Sequence, residues 1–179
     1  MIHTIAGTLQ RWGFSRAGWL DNRRGEWWLL AQLVLIALDV VLPTWPSTWA
    51  WPPLLLPWLP ATGLVLLLGG LLLAGVAFVQ LGESLTPLPE PMPSAPLKQL
   101  GLYGICRHPL YLAVLICSAG MVLLRGGVLH PLLLLALAVL LAGKARREEQ
   151  ALMALHPEFA AYRQRTAAIV PLCPGLDWR

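Results

Sequence analysis

Residues 61–81 run without one charged side chain, and at about 1.5 Å per residue a helix over them spans the roughly 30 Å of bilayer hydrocarbon. This is the full-length apolar stretch in the chain, and it sets the solvent for everything else. The composition agrees: 57% of the 179 residues are hydrophobic, 12% are charged and the mean hydropathy is +0.64, far from a soluble domain. An integral membrane protein of this length is one compact unit, too short to carry a separate soluble catalytic domain, so any chemistry takes place in or on the bundle.

Three further stretches can cross or nearly cross a bilayer: 27–42, 110–124 and 128–143. The last two fall short of the roughly 20 residues a simple span needs, so they extend into flanking polar residues or form a tight hairpin turned at Arg125-Gly126-Gly127. Between 42 and 61 the prolines bar regular helix, and Trp45, Trp49, Trp51 and Trp58 suit the headgroup interface. The expected fold is an all-α bundle of about four transmembrane helices. Its parts are a basic segment 1–26, two helices with an external loop over 27–81, a core over 82–172 and a tail over 173–179. Cys106, Cys117 and Cys173 are scattered and odd in number, which argues against a disulfide framework or a structural metal site.

Four crossings put the N terminus, the loop 82–109 and the C-terminal tail on one side. Twelve of the 13 Lys and Arg residues fall there, Arg125 being the exception, so the positive-inside rule places both termini and that loop in the cytoplasm. A bacterial inner membrane is the expected location. Arg11, Arg16, Arg23 and Arg24 precede the first span without a cleavable signal pattern; residues 4–20 form either a surface helix or a plain topology signal.

The same side collects the polar residues that a bilayer penalises unless they face protein, water or ligand. Gly101-Leu102-Tyr103-Gly104-Ile105-Cys106-Arg107-His108-Pro109-Leu110-Tyr111 sits directly against an apolar helix. Pro109 is placed to open that helix, with His108 at the cap position. Beyond the fourth span, Lys144 and Glu148 lie one turn apart, as in a plain surface pair, while Glu148 can also face the Arg107–His108 corner across a cleft. His156-Pro157 breaks this helix and 158–165 begins a short amphipathic segment with Phe159, Tyr162 and Arg163.

The pattern Gly101-x-Tyr103-x-x-x-Arg107-His108-Pro109-x-Tyr111, two short spans, Glu148-Glu149, then Phe159-x-x-Tyr162-Arg163 before Pro171 resembles the isoprenylcysteine carboxyl methyltransferase family. The resemblance covers roughly residues 80–172. It extends to the superfamily that includes phospholipid N-methyltransferases; the N-terminal half matches in hydropathy alone. It implies an integral membrane enzyme using S-adenosyl-L-methionine, with the cofactor under the cytoplasmic face and a lipophilic substrate entering from the bilayer. It places cofactor contacts on Leu97, Lys98, Tyr103, His108, Pro109, Leu110, Tyr111 and Glu148, to which the neighbouring Arg107 and Tyr162 are added here, and catalytic or substrate-side roles on Glu148 and on Lys144, for which Arg163 or Arg147 could substitute. Lys144 stands where the family has Arg. Ala95 stands where prenylcysteine-modifying relatives often have His.

Methyl transfer from a sulfonium is an in-line displacement that relies on placement. A prenylcysteine carboxylate needs no base, whereas an amine or phenol acceptor must lose a proton, for which Glu148 or His108 would serve. Alternative readings are a phospholipid N-methyltransferase, an NADPH-dependent sterol-type reductase and a non-enzymatic module that binds lipid headgroups. The reductases' Arg- and Cys-containing stretch followed by Lys-Tyr-Gly is not found. No nucleic-acid partner and no metal are expected.

Overall fold

The computed structural model describes residues 21–179 apart from 23, 49, 53, 85, 87 and 92–94, and it does not describe the side chain of residue 83. The proposed surface segment 4–20 lies outside the described residues. Those described form helices α1 (Glu26–Val41), α2 (Trp58–Leu81), α3 (Leu102–Ile105), α4 (Pro109–Arg125), α5 (Leu129–Leu155) and α6 (Phe159–Arg165), with a 3-10 turn at Gly82–Ser84. Among them there is no strand, only an isolated bridge between Cys106 and Ala167.

Two helices, α2 with 24 residues and α5 with 27, are long and apolar enough to cross a membrane; α4 is apolar over 17 residues. The expected span starting at 61 begins three residues earlier, because Pro60 sits in the first helical turn where its missing N–H breaks no bond. The apolar stretch over 128–143 and the polar residues after it form one helix that ends at Leu155, before the expected break at His156-Pro157, which makes α5 about 40 Å long and carries its polar third past the apolar part.

α2 packs on α4, α4 on α5, and α5 on α1. The α2–α4 contact is made by backbone: a Cβ built on Gly120 would lie 2.7 Å from the Gly63 carbonyl oxygen, and one on Gly63 would lie 2.8 Å from that of Gly120. Small residues let apolar helices approach where lipid offers no hydrophobic drive to associate. The other faces of α2 leave Val65, Leu72 and Val79 exposed, as suits a helix that is apolar all round. Gly120→Ala is expected to push α4 off α2 and cost about 1–3 kcal/mol, read as an earlier thermal unfolding midpoint in detergent. An unchanged midpoint would contradict the backbone contact.

The hairpin between α4 and α5 turns at Gly126 and Gly127, with φ of 70° and 74°, a region glycine enters without a Cβ penalty. The Trp- and Pro-rich segment covers this end. Thr44 Oγ1 donates to the Arg125 carbonyl at 2.8 Å and Trp51 Nε1 to that of Leu123 at 3.1 Å, which satisfies carbonyls left open at the end of α4. At the other end, Leu115 of α4, Leu137, Leu141 and Ala145 of α5, and Ala168 and Ile169 form one buried cluster. The segment after α6 is thereby pinned against the bundle.

Candidate functional site

Cys106 leaves α3 in extended conformation, and the next two residues pair with the returning C-terminal segment. The Arg107 N–H donates to the Ala167 carbonyl at 2.8 Å and the His108 N–H to that of Ala168 at 3.0 Å. His108 then occupies the cap position of α4 with Pro109 as its first residue, and its ring makes no capping bond. Released from that role, the ring stacks on Tyr111, centroids 5.2 Å apart and 3° from parallel, and faces two adjacent carboxylates on α5. Nε2 lies 3.0 Å from Glu149 Oε1, and Nδ1 lies 3.6 Å from Glu148 Oε2.

The two glutamates have different surroundings. Glu149 is buried and saturated: Oε1 accepts the Arg107 Nε–H at 2.8 Å and Oε2 accepts the Trp178 indole N–H at 2.7 Å. Arg107 is equally committed, donating to the carbonyls of Arg163 (3.0 Å), Trp178 (2.7 Å) and Thr166. This is a closed charge-assisted network of the kind that fixes a local fold. Glu148, with a quarter of its side chain exposed, accepts the Tyr111 hydroxyl at 2.8 Å and faces a cleft.

That cleft offers ≈ 610 Å³ of atom-free space, its mouth included. Tyr103, Phe159 and Tyr162 form aromatic walls, His108 and Glu148 one polar side, and Leu97, Lys98 and His156 contribute from the loop and the end of α5. The Tyr162 hydroxyl donates to the Tyr103 carbonyl at 2.5 Å, and Gln80 Oε1 accepts the Leu102 N–H at 2.9 Å, tying the short α3 to α6 and α2. Burial pushes the Tyr103 hydroxyl well above the usual phenol range, with Glu148 adding to it, and burial likewise raises Tyr162. Both stay protonated donors. Burial also pushes the Cys106 thiol up to about 11.

The folded state thus holds three protons that the unfolded chain releases at lower pH. Stability present at neutral pH is expected to fall as pH rises through about 9 to 11, where the unfolded thiol ionises before the buried one. Unfolding midpoints that stay flat across this range would contradict the burial of these groups.

Of the residues singled out from sequence, Leu97, Lys98, Tyr103, Arg107, His108, Glu148 and Tyr162 meet at the cleft. Pro109 and Leu110 fill the first turn of α4 and do not line it, and Tyr111 reaches it through Glu148. Lys144 is buried; its ammonium donates to Gln32 Oε1 at 2.7 Å and lies 5.3 Å from the Tyr111 ring centroid. Arg163 lines a separate cavity together with Glu149. Sequence reasoning passed over the part played by Glu149, which is legible only as the second half of the Glu148-Glu149 pair. It also passed over Trp178, for which the sequence holds no signal.

The family model for phospholipid methyltransferase matches residues 58–156, from the start of α2 to the residue after α5. Among curated proteins, the chain is 32% identical over 166 residues to the cobalt-zinc-cadmium resistance protein CzcN of Cupriavidus metallidurans, covering 89% of this chain and 69% of that one. It is 30% identical over 152 residues to the nickel-cobalt-cadmium resistance protein NccN of Alcaligenes xylosoxydans xylosoxydans, covering 84% and 65%. The chain therefore spans about two thirds of the length of these relatives, and no solved structure matches it. The matched region holds both long apolar helices, the Arg107–His108–Pro109 corner and the Glu148-Glu149 pair, and the chain belongs to the phospholipid methyltransferase family.

Proposed function

We propose that this protein is an integral membrane methyltransferase that uses S-adenosyl-L-methionine and acts on a lipophilic acceptor. The observation that carries the reading is the pair His108, which is buried, and Glu148, a quarter exposed; both fall inside the family-matched region and line a cleft with aromatic walls. Four crossings by α1, α2, α4 and α5, with both termini and the cleft in the cytoplasm of a bacterial inner membrane, fit the helix order and the distribution of basic residues.

The donor set fits the cofactor. Tyr103, Phe159 and Tyr162 offer flat apolar surface for a purine. Glu148 offers a carboxylate to an ammonium or to sugar hydroxyls, and Lys98 and His156 offer donors to a carboxylate. When bound, the cofactor supplies a methyl group on a sulfonium. The chain's own contributions are placement and electrostatics: Glu148 favours a cationic ligand, the protonated Tyr103 and Tyr162 hold the walls, and Arg107 and Glu149 fix His108. His108 and Glu148 are within reach to take a proton from an amine or phenol; a carboxylate acceptor, such as that of a prenylcysteine, needs no such step. The acceptor belongs to the class of lipid headgroups or isoprenoid-linked groups that enter from the bilayer.

The test is transfer of a labelled methyl group from S-adenosylmethionine into a total bacterial lipid extract by the purified protein. Label in the organic phase that depends on the protein is expected, and the product identifies the acceptor. A folded sample that binds neither the cofactor nor its demethylated product would overturn the reading. Because the two relatives are named for metal resistance, lipids from cells grown with and without cobalt, zinc and cadmium are the extracts to compare.

A further inference from the structure

Arg146, Glu149, Gln150, Met153, Arg163 and Trp178 line a second cavity with ≈ 550 Å³ of atom-free space, its mouth included. The two cavities share no lining residue. The second is cationic and incompletely satisfied. Arg163 Nε is buried and has no hydrogen-bond partner. It forms a long ion pair with Glu149 Oε2 at 3.9 Å, beyond hydrogen-bond reach, and that oxygen already accepts the Trp178 indole N–H at 2.7 Å; Arg163 Nη1 meets the Met153 sulfur at 4.0 Å. Glu149 Oε1 is taken by Arg107 and His108. The one carboxylate in the wall is therefore spent, and two guanidiniums remain. The Arg146 guanidinium sits over the Trp178 ring, 4.6 Å from its centroid, with a long 3.4 Å contact to the Gly175 carbonyl.

A buried N–H without an acceptor is rare enough to call for one. A guanidinium fork is best satisfied by an oxyanion that takes two of its donors. The depth of the cavity selects the source of that anion. Arg146 comes three residues after Gly143, where the uncharged part of α5 ends, so the cavity opens at the level of lipid headgroups, where tryptophan and arginine commonly anchor. We propose that Arg146 and Arg163, with Trp178 as a floor, form an anion site for the phosphate of a membrane phospholipid, separated by Glu149 from the cofactor cleft. The site holds a lipid without modifying it, since the Glu149 network stands between it and the cleft.

The test uses the full chain in non-ionic detergent, with dioctanoyl phosphatidylglycerol, dioctanoylglycerol and inorganic phosphate as separate probes. The phosphatidylglycerol is expected to raise the unfolding midpoint and to bind the double variant R146Q/R163Q at least about tenfold more weakly than the wild type. Dioctanoylglycerol, which lacks the phosphate, is expected to have neither effect. Gln150→Glu places a carboxylate on the wall while keeping the arginines, and it is expected to weaken binding similarly; it decides the matter if the double variant does not fold. Lipid binding that is unchanged in Gln150→Glu, or in a folded double variant, overturns the site. Inorganic phosphate that matches the lipid at equal concentration overturns the membrane source.

Discussion

Glu149→Ala is expected to destabilise the protein by about 3–5 kcal/mol, the cost of stranding a buried charge after its partner is removed. The Arg107 and Glu149 side chains are 1% and 3% exposed, with Nε 2.8 Å from Oε1. Removing the carboxylate leaves a guanidinium with no counterion, and it also orphans the Trp178 indole N–H and one side of the His108 ring. For a chain of this size the loss corresponds to a fall of roughly 10 °C in unfolding midpoint, measurable by differential scanning fluorimetry in detergent. Glu149→Gln keeps one of the two acceptor oxygens and turns an NH2 donor toward the other partner, so it should fall between the alanine variant and wild type. An alanine variant as stable as wild type would show that the network does not hold the corner together.

Its neighbour should behave in the opposite way. Glu148→Ala removes a carboxylate that faces the cleft and accepts one tyrosine hydroxyl, so the expected stability change is within about 1 kcal/mol, while affinity for S-adenosylmethionine or its demethylated product drops about tenfold or more. Isothermal titration calorimetry on both variants makes the contrast direct. Equal loss of cofactor binding in a folded Glu149→Ala sample, with Glu148→Ala unaffected, would assign the cleft-facing role to the wrong residue. The contrast is sharp because the two positions are adjacent in sequence and chemically identical. What differs is the set of groups that each one meets.

Much of the backbone plan was legible in the residues. An uncharged apolar run over 61–81 leaves a helix as the only way to satisfy its backbone in lipid, and α2 covers it. Pro109 opens α4 because its missing N–H is harmless there, and Arg125-Gly126-Gly127 turns because glycine reaches positive φ. These are local rules, and they held locally. Leu97, Lys98, Tyr103, His108, Glu148 and Tyr162 were singled out from the family's motif spacing, and all of them line one cleft.

The uses of Arg107, Lys144 and Arg163 were not legible. As isolated cations near a membrane boundary they are equivalent; as folded residues one is consumed by Glu149 and three carbonyls, one is drawn to Gln32 of α1, and one stands over a separate cavity. The parallel bridge from Cys106 to Ala167 and the insertion of Trp178 are contacts across 60 or more residues. Sequence by itself determined where the long helices run, which stretches are apolar enough to suit a bilayer and which chemical groups lie near their ends. Tertiary structure alone decided that Glu148 faces the cleft while Glu149 is locked into the corner. Successive residues on a helix point about 100° apart, and only the packing of α4 and the returning tail against α5 determines what each direction meets.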